Sequence, residues 1–213
     1  MELAELQVGR DSPEARFVVS TVAEIEFMLP MFQRLQSHGR CVSTLYGMPL
    51  PLSQVDRLAP FGKHLGAGSI VLMIDHVSQL PALRSFYDQA GFPSGVFLKV
   101  DTGYHRAGLP PDALNKNQLL QRLMEWQAEE LVNLKGLYSH SSLSYSGSTS
   151  AEAIKCLLSK TNGCLDAVRQ NSNGCLDAVR QNSACLTDSG PLVLSVGASP
   201  QVSVIQTLAK EKT

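Results

Sequence analysis

Asp101, Tyr104, His105 and Arg106 put a carboxylate, a phenol, an imidazole and a guanidinium within one short stretch, Gly95–Gly108, GVFLKVDTGYHRAG. The run before them is apolar (Val96, Phe97, Leu98, Val100) with a single lysine, Lys99. Such a run predicts a strand buried on both faces, as in a parallel sheet. Polar groups just past the C-terminal end of such a strand occupy the place where open α/β sheets and α/β barrels keep their sites. Gly103 and Gly108 allow a sharp turn or a close backbone approach to a ligand. The plainer alternative is a polar loop after a core strand. A second polar run, Ser139-His140-Ser141-Ser142, and a run of small residues, Gly197-Ala198-Ser199-Pro200, also follow apolar segments. His38, His64, His76, His105 and His140 show no metal-ligand spacing, and no two cysteines form a CxxC pair.

Those groups need elements to hold them. A chain of 213 residues, 44% hydrophobic and with net charge −1, has enough material for one domain with a real core. The charge gives no bulk attraction to nucleic acid or to a membrane surface. No apolar run approaches the roughly 20 residues of a membrane span, and the N-terminus lacks a signal-peptide profile. Five scattered cysteines (Cys41, Cys156, Cys164, Cys175, Cys185) suit free thiols in a reducing compartment, so a cytoplasmic location is the expectation.

In chain order the pattern predicts a short helix at Glu2–Val8, a strand at Phe17–Val19, and a helix at Val22–Ser37 opened by a Thr21/Glu24 capping box. A strand at Cys41–Tyr46 follows, closing at Gly47, then a helix from about Ser53. The strand Ile70–Ile74 leads to a helix from about Ser78 to Ala90, stopped at Gly91. After the strand in the opening stretch come a helix from about Ala113 to Glu130, a strand at Leu134–Tyr138 and a strand at Leu192–Val196. Strand and helix alternate, which implies parallel strands joined by right-handed crossovers. A doubly wound sheet and a (β/α) barrel both fit, and polar residues after nearly every strand favour the barrel.

Residues 162–172, NGCLDAVRQNS, recur unchanged as residues 173–183. Two identical copies are not a solenoid, whose repeats are longer and drifted. They read as a recent duplication or a gene-model error. Eleven residues nearly preserve helical phase, so the extra copy is expected as an outward excursion that makes no site.

Five motifs at strand ends carry a resemblance. They are Leu45-Tyr46-Gly47-Met48-Pro49, Met73-Ile74-Asp75-His76, Lys99 to Gly108, Gly136-Leu137-Tyr138-Ser139-His140, and Ser195-Val196-Gly197-Ala198-Ser199-Pro200. In this order the chain resembles the fold-type III pyridoxal-phosphate enzymes, the alanine racemase N-terminal domain family, and most of all its D-serine dehydratase and D-threonine aldolase-like members. The resemblance implies a TIM-type (β/α) barrel over residues 1–213 and pyridoxal 5′-phosphate as cofactor. It implies that Gly197, Ala198 and Ser199 cradle the phosphate with exposed backbone N–H groups and a hydroxyl. Arg106 is similar in position to the arginine beside the cofactor ring, where a guanidinium keeps the pyridine nitrogen unprotonated. Tyr138, His140 and Tyr145 fall where the family lines its pocket, with His140 orienting the cofactor or moving a proton. Lys99 reads as structural.

The same resemblance marks what the pattern lacks. The family's chemistry starts from a lysine that joins the cofactor covalently, ahead of the helix matching Glu2–Val8. None of the lysines here (Lys63, Lys99, Lys116, Lys135, Lys155, Lys160, Lys210, Lys212) matches it. The last strand and the C-terminal domain, which holds zinc in the parent family, are also unmatched, so no metal ligands carry over. The expectation is an incomplete barrel of about six of eight strands, with long, uncharged edges that make it poorly soluble. It would be a truncated lyase for a small D-amino acid, inert alone; a non-catalytic pyridoxal-phosphate carrier or pseudo-enzyme on the same barrel is the alternative. A homodimer is the assembly the resemblance suggests.

Overall fold

A computed structural model describes residues 2–9, 12–140, 149–171 and 192–196. Its elements are α1 (Glu2–Gln7), β1 (Glu14–Val19), α2 (Val22–Ser37), β2 (Cys41–Pro49), α3 (Val55–Leu65), β3 (Ile70–Ile74), α4 (Leu80–Ala90), β4 (Ser94–Lys99), α5 (Leu119–Ala128), β5 (Val132–Ser139), α6 (Ser150–Gln170) and β6 (Val193–Val196). The strands follow one another in the sheet in chain order. β1 with β2, β2 with β3, and β5 with β6 run parallel. A doubly wound sheet reverses its strand order at a switch point. An unreversed order with a helix between strands is the α/β topology of a TIM-type (β/α) barrel, here with six strands.

The chain divides into two compact units, residues 1–97 with 125–134, and residues 98–124 with 135–213. In the first, α2 begins as the sequence predicts. The Thr21 hydroxyl accepts from the Glu24 N–H, and the Glu24 carboxylate accepts from the Ser20 and Thr21 N–H groups. Ile25, Met31 and Phe32 of α2 are fully buried with Leu58 of α3, Leu83 and Phe86 of α4 and every residue of β3. Gly91 ends α4 in the left-handed region, where glycine carries no Cβ penalty.

The second unit buries Leu98, Val100, Leu109, Leu114, Leu119, Leu120, Leu123 and Leu137 with Cys164 and Ala167 of α6. It also buries the charged Lys160 at 1% exposure. Gly136 of β5 has φ +156, and a Cβ there would lie 1.9 Å from the Val193 carbonyl oxygen. β6 therefore lies against backbone at that point.

Three expectations change. β1 and β2 are longer than predicted, and β2 runs through Gly47 to Pro49 with a register shift against β3 after Leu45. β1 is not a buried strand bare of charge. Its residues alternate exposed and buried, and Glu14 and Arg16 on the exposed face form an ion pair. The helix expected from Ala113 to Glu130 is broken into two 3-10 turns, Pro111–Ala113 and Lys116–Gln118, before α5. Asn117 and Gln118 take left-handed φ of 54° and 62°, which no continuous helix accommodates.

Candidate active site

Residues 99–109 fold into a closed loop at the carboxyl end of β4. Its base is tied twice: the Asp101 N–H donates to the Leu109 carbonyl, and the Leu109 N–H donates to the Lys99 carbonyl, both at 2.8 Å. Gly108 allows the return, since a Cβ there would meet the Asp101 nitrogen at 2.8 Å. Inside the loop one Asp101 oxygen, Oδ1, accepts from the N–H groups of Gly103, Tyr104 and His105 at 2.9–3.0 Å. The other, Oδ2, lies 3.0 Å from His105 Nδ1. This holds His105 in the left-handed region at φ 54°, rare for a residue with a Cβ. Partial burial raises the Asp101 pKa, but the three backbone donors and His105 outweigh it and hold the carboxyl below its ordinary value. Asp101 therefore shapes the loop, and the loop aims Tyr104 and Arg106.

Tyr104 is the hub. The Arg106 guanidinium lies over its ring at 4.5 Å from the centroid. Arg106 also donates weakly to the Tyr104 hydroxyl at 3.4 Å. Tyr104 also meets the His140 ring edge-to-face, centroids 6.1 Å apart and planes at 82°. One phenol thus joins the loop after β4 to the residue that follows β5. A guanidinium over a ring keeps its charge while losing side-chain freedom. His140 offers a proton donor or acceptor beside it.

Tyr138 is engaged differently. Its backbone carbonyl accepts from the Val100 N–H at 2.8 Å, and its ring lies 5.7 Å from the Lys99 ammonium. Lys99 is 5% exposed, in keeping with a structural lysine. Ser139, fully buried, shares a hydrogen bond of 2.7 Å with the Thr102 hydroxyl. The β4 and β5 ends are therefore stitched together at three successive levels: Lys99 with Tyr138, Thr102 with Ser139, and Tyr104 with His140.

Arg106 and His140 are brought together through Tyr104, whereas Tyr138 turns to Lys99. Tyr145, Gly197, Ala198 and Ser199 lie outside the described residues. Asp101 and Tyr104 stand out in the sequence as polar groups after the strand, but neither is given a role there. Asp-x-Gly after a strand is a turn signal that points to Asp101, but the Tyr104 contacts depend on how the loop closes. His76 Nδ1 caps a short 3-10 turn by accepting from the Ser78 N–H. Among the described residues, no group of three or more His, Cys, Asp or Glu side chains is placed to hold a metal ion. No helix among them is long and apolar enough to cross a membrane.

The alanine racemase N-terminal domain family matches residues 10–198 of the chain. A D-serine dehydratase of Schizosaccharomyces pombe is 29% identical over 210 residues, covering 97% of this chain and 45% of that protein. A D-serine dehydratase of Dictyostelium discoideum is 26% identical over 132 residues, 60% of this chain and 31% of that protein. The chain thus spans less than half the length of these relatives. Among solved structures, D-threo-3-hydroxyaspartate dehydratase from Delftia shares the fold with a TM-score of 0.58 at 20% identity, over 88% of this chain and 42% of that one. D-threonine aldolase from Filomicrobium marinum does so with a TM-score of 0.55 at 17% identity, over 86% and 47%.

Proposed function

Because this chain belongs to the alanine racemase N-terminal domain family, we propose that it is the barrel segment of a pyridoxal-phosphate-dependent lyase acting on a small D-hydroxy amino acid, by elimination or retro-aldol cleavage. One observation carries the reading: the Arg106–Tyr104–His140 cluster lies at the β4 and β5 ends of a chain that aligns over 97% of its length with a D-serine dehydratase.

The side chains suit that cofactor. Pyridoxal phosphate, when bound, supplies an electron sink for breaking a bond at the α-carbon of an amino acid. A permanent cation, Arg106, would face the ring nitrogen and keep it unprotonated. Asp101, the nearest carboxylate in the loop, is turned to backbone donors and His105, so it does not compete for that nitrogen. Tyr104 limits the swing of Arg106, and His140 would hold or move a proton at the substrate. Tyr138 and Tyr145 would line the pocket, and Gly197, Ala198 and Ser199 would cradle the phosphate, by the family's pattern.

The test is a titration of the chain with pyridoxal phosphate followed by equilibrium dialysis, then an assay of D-serine and D-threonine with the full-length transcript product. Retention of the cofactor, weakened about tenfold in Arg106→Ala, is expected for loss of one charge-assisted contact. Turnover by the full-length product supports the lyase. Cofactor binding without turnover by that product points instead to a carrier, and failure to bind overturns both.

A further inference from the structure

Thr102 stands between the candidate site and α6. Its hydroxyl shares a hydrogen bond of 2.7 Å with the fully buried hydroxyl of Ser139, an ordinary length for two hydroxyls. Its methyl meets the helix at Gly163, where a Cβ would come within 2.6 Å of that methyl and 3.3 Å of the Thr102 Cβ. A side chain at 163 is therefore excluded unless Thr102 moves. The helix is itself anchored. Cys164 and Ala167 are fully buried, and the Asn171 amide donates to the Pro111 carbonyl at 2.8 Å, just past the closure of the loop at Leu109. α6 backs the segment after β4 at two points, Thr102 and Pro111.

A β-branched side chain has few choices at χ1. With one branch against bare helix backbone and the other on Ser139, Thr102 is held from both sides. Thr102 lies two residues before Tyr104, and Ser139 directly precedes His140. The hydroxyl bridge thus sits beside the point where the Tyr104 and His140 rings meet, centroids 6.1 Å apart. The bonds of Asp101 run to Gly103, Tyr104 and His105, so they shape the loop from within and do not set its distance from β5. We propose, resting on the lyase reading for what the cluster does, that Thr102 is a positioning residue. The Thr102–Ser139 bridge, backed by Gly163, sets the spacing of Tyr104 and His140, and through the Tyr104 ring the place of Arg106. Both branches count. Serine at 102 would keep the hydroxyl and leave a gap against Gly163. Valine would keep the fill and leave the buried Ser139 hydroxyl without its Thr102 partner.

Two pairs of variants separate positioning from packing. Each is read by urea unfolding, by pyridoxal-phosphate retention in dialysis, and by the nuclear Overhauser effect between the ring protons of Tyr104 and His140. Thr102→Val is expected to lower the urea midpoint and to weaken retention by roughly 2- to 10-fold, the worth of a hydrogen bond whose loss leaves a buried group unpaired. Adding Ser139→Ala removes the unpaired hydroxyl, so the midpoint should recover while retention stays weak and the ring-to-ring signal stays lost. Gly163→Ala should also weaken retention and the ring signal. Adding Thr102→Ser to it should restore part of both, because a methyl has then moved from the loop to the helix. Retention that recovers with the midpoint in the Thr102→Val, Ser139→Ala chain, a ring signal that survives there, or a parent-like ring signal in Gly163→Ala overturns the proposal. A parent chain that retains no pyridoxal phosphate overturns the lyase reading instead, and the ring signal alone then decides whether Thr102 sets the cluster.

Discussion

Asp101 holds the loop after β4 together from within. Its carboxylate takes three backbone donors and one imidazole, so its removal leaves several N–H groups without their partner. Asp101→Ala is expected to cost about 1–3 kcal/mol in urea unfolding, the usual penalty for orphaned donors, and to free Tyr104 and Arg106 together. Tyr104 separates ring from hydroxyl. The ring holds Arg106 by a cation–π contact at 4.5 Å, while the hydroxyl bond is long at 3.4 Å. Tyr104→Leu should therefore weaken pyridoxal-phosphate binding by about 2- to 5-fold, the worth of a largely exposed cation–π pair. Tyr104→Phe should change it far less. Equal losses in the two variants, measured by dialysis, would move the weight to the hydroxyl.

Elements were legible in the sequence where a local rule decides them. The Thr21 capping box and the Gly91 stop depend only on neighbours in the chain, and both appear as expected. The start of α5 was not legible, because the left-handed pair Asn117 and Gln118 answers to packing around Leu114, Leu119 and Leu120 and not to helix propensity. The same holds for the site. The residue types of the β4 loop stood out, but the meeting of Tyr104 with Arg106 and His140 follows from closure of that loop at Lys99 and Leu109. Glycines separate by the same logic. Gly136→Ala would drive a methyl into the Val193 backbone. It should cost about 3 kcal/mol, the upper range for overpacking, and loosen β6. Gly62→Ala puts a methyl 2.8 Å from the tip of the buried Phe86 ring and 3.7 Å from Phe92, and about 1 kcal/mol of helix propensity offsets part of that clash. Urea midpoints of both variants should fall, that of Gly136→Ala further.

At the scale of the whole molecule, the unreversed strand order separates barrel from doubly wound sheet, an alternative that hydrophobic pattern alone leaves open because both need the same alternation of strand and helix. Burial of charge is the other property that pattern did not give: Lys160 lies on the buried face of α6 with Ala153, Cys164 and Ala167. Burial lowers its pKa below 10.5, and the nearby Cys156 acts the other way. A lysine whose pKa is lower in the folded chain than in the unfolded one destabilises the fold while it is protonated. That penalty shrinks as pH rises from the folded pKa toward the unfolded value. Cys164 has the opposite sign. Burial raises its thiol pKa from 9.0 to about 11, so its contribution is present below 9 and is lost as pH climbs between those values. The two trends overlap in the alkaline range, and a pH profile of the parent chain alone would mix them. Lys160→Met removes one and leaves the other. Unfolding free energies of parent and variant, measured from pH 7 upward, are therefore expected to converge as pH approaches 10.5, with the variant the more stable at pH 7. A gap that stays constant with pH would mean that Lys160 is equally solvated in the folded and unfolded chains.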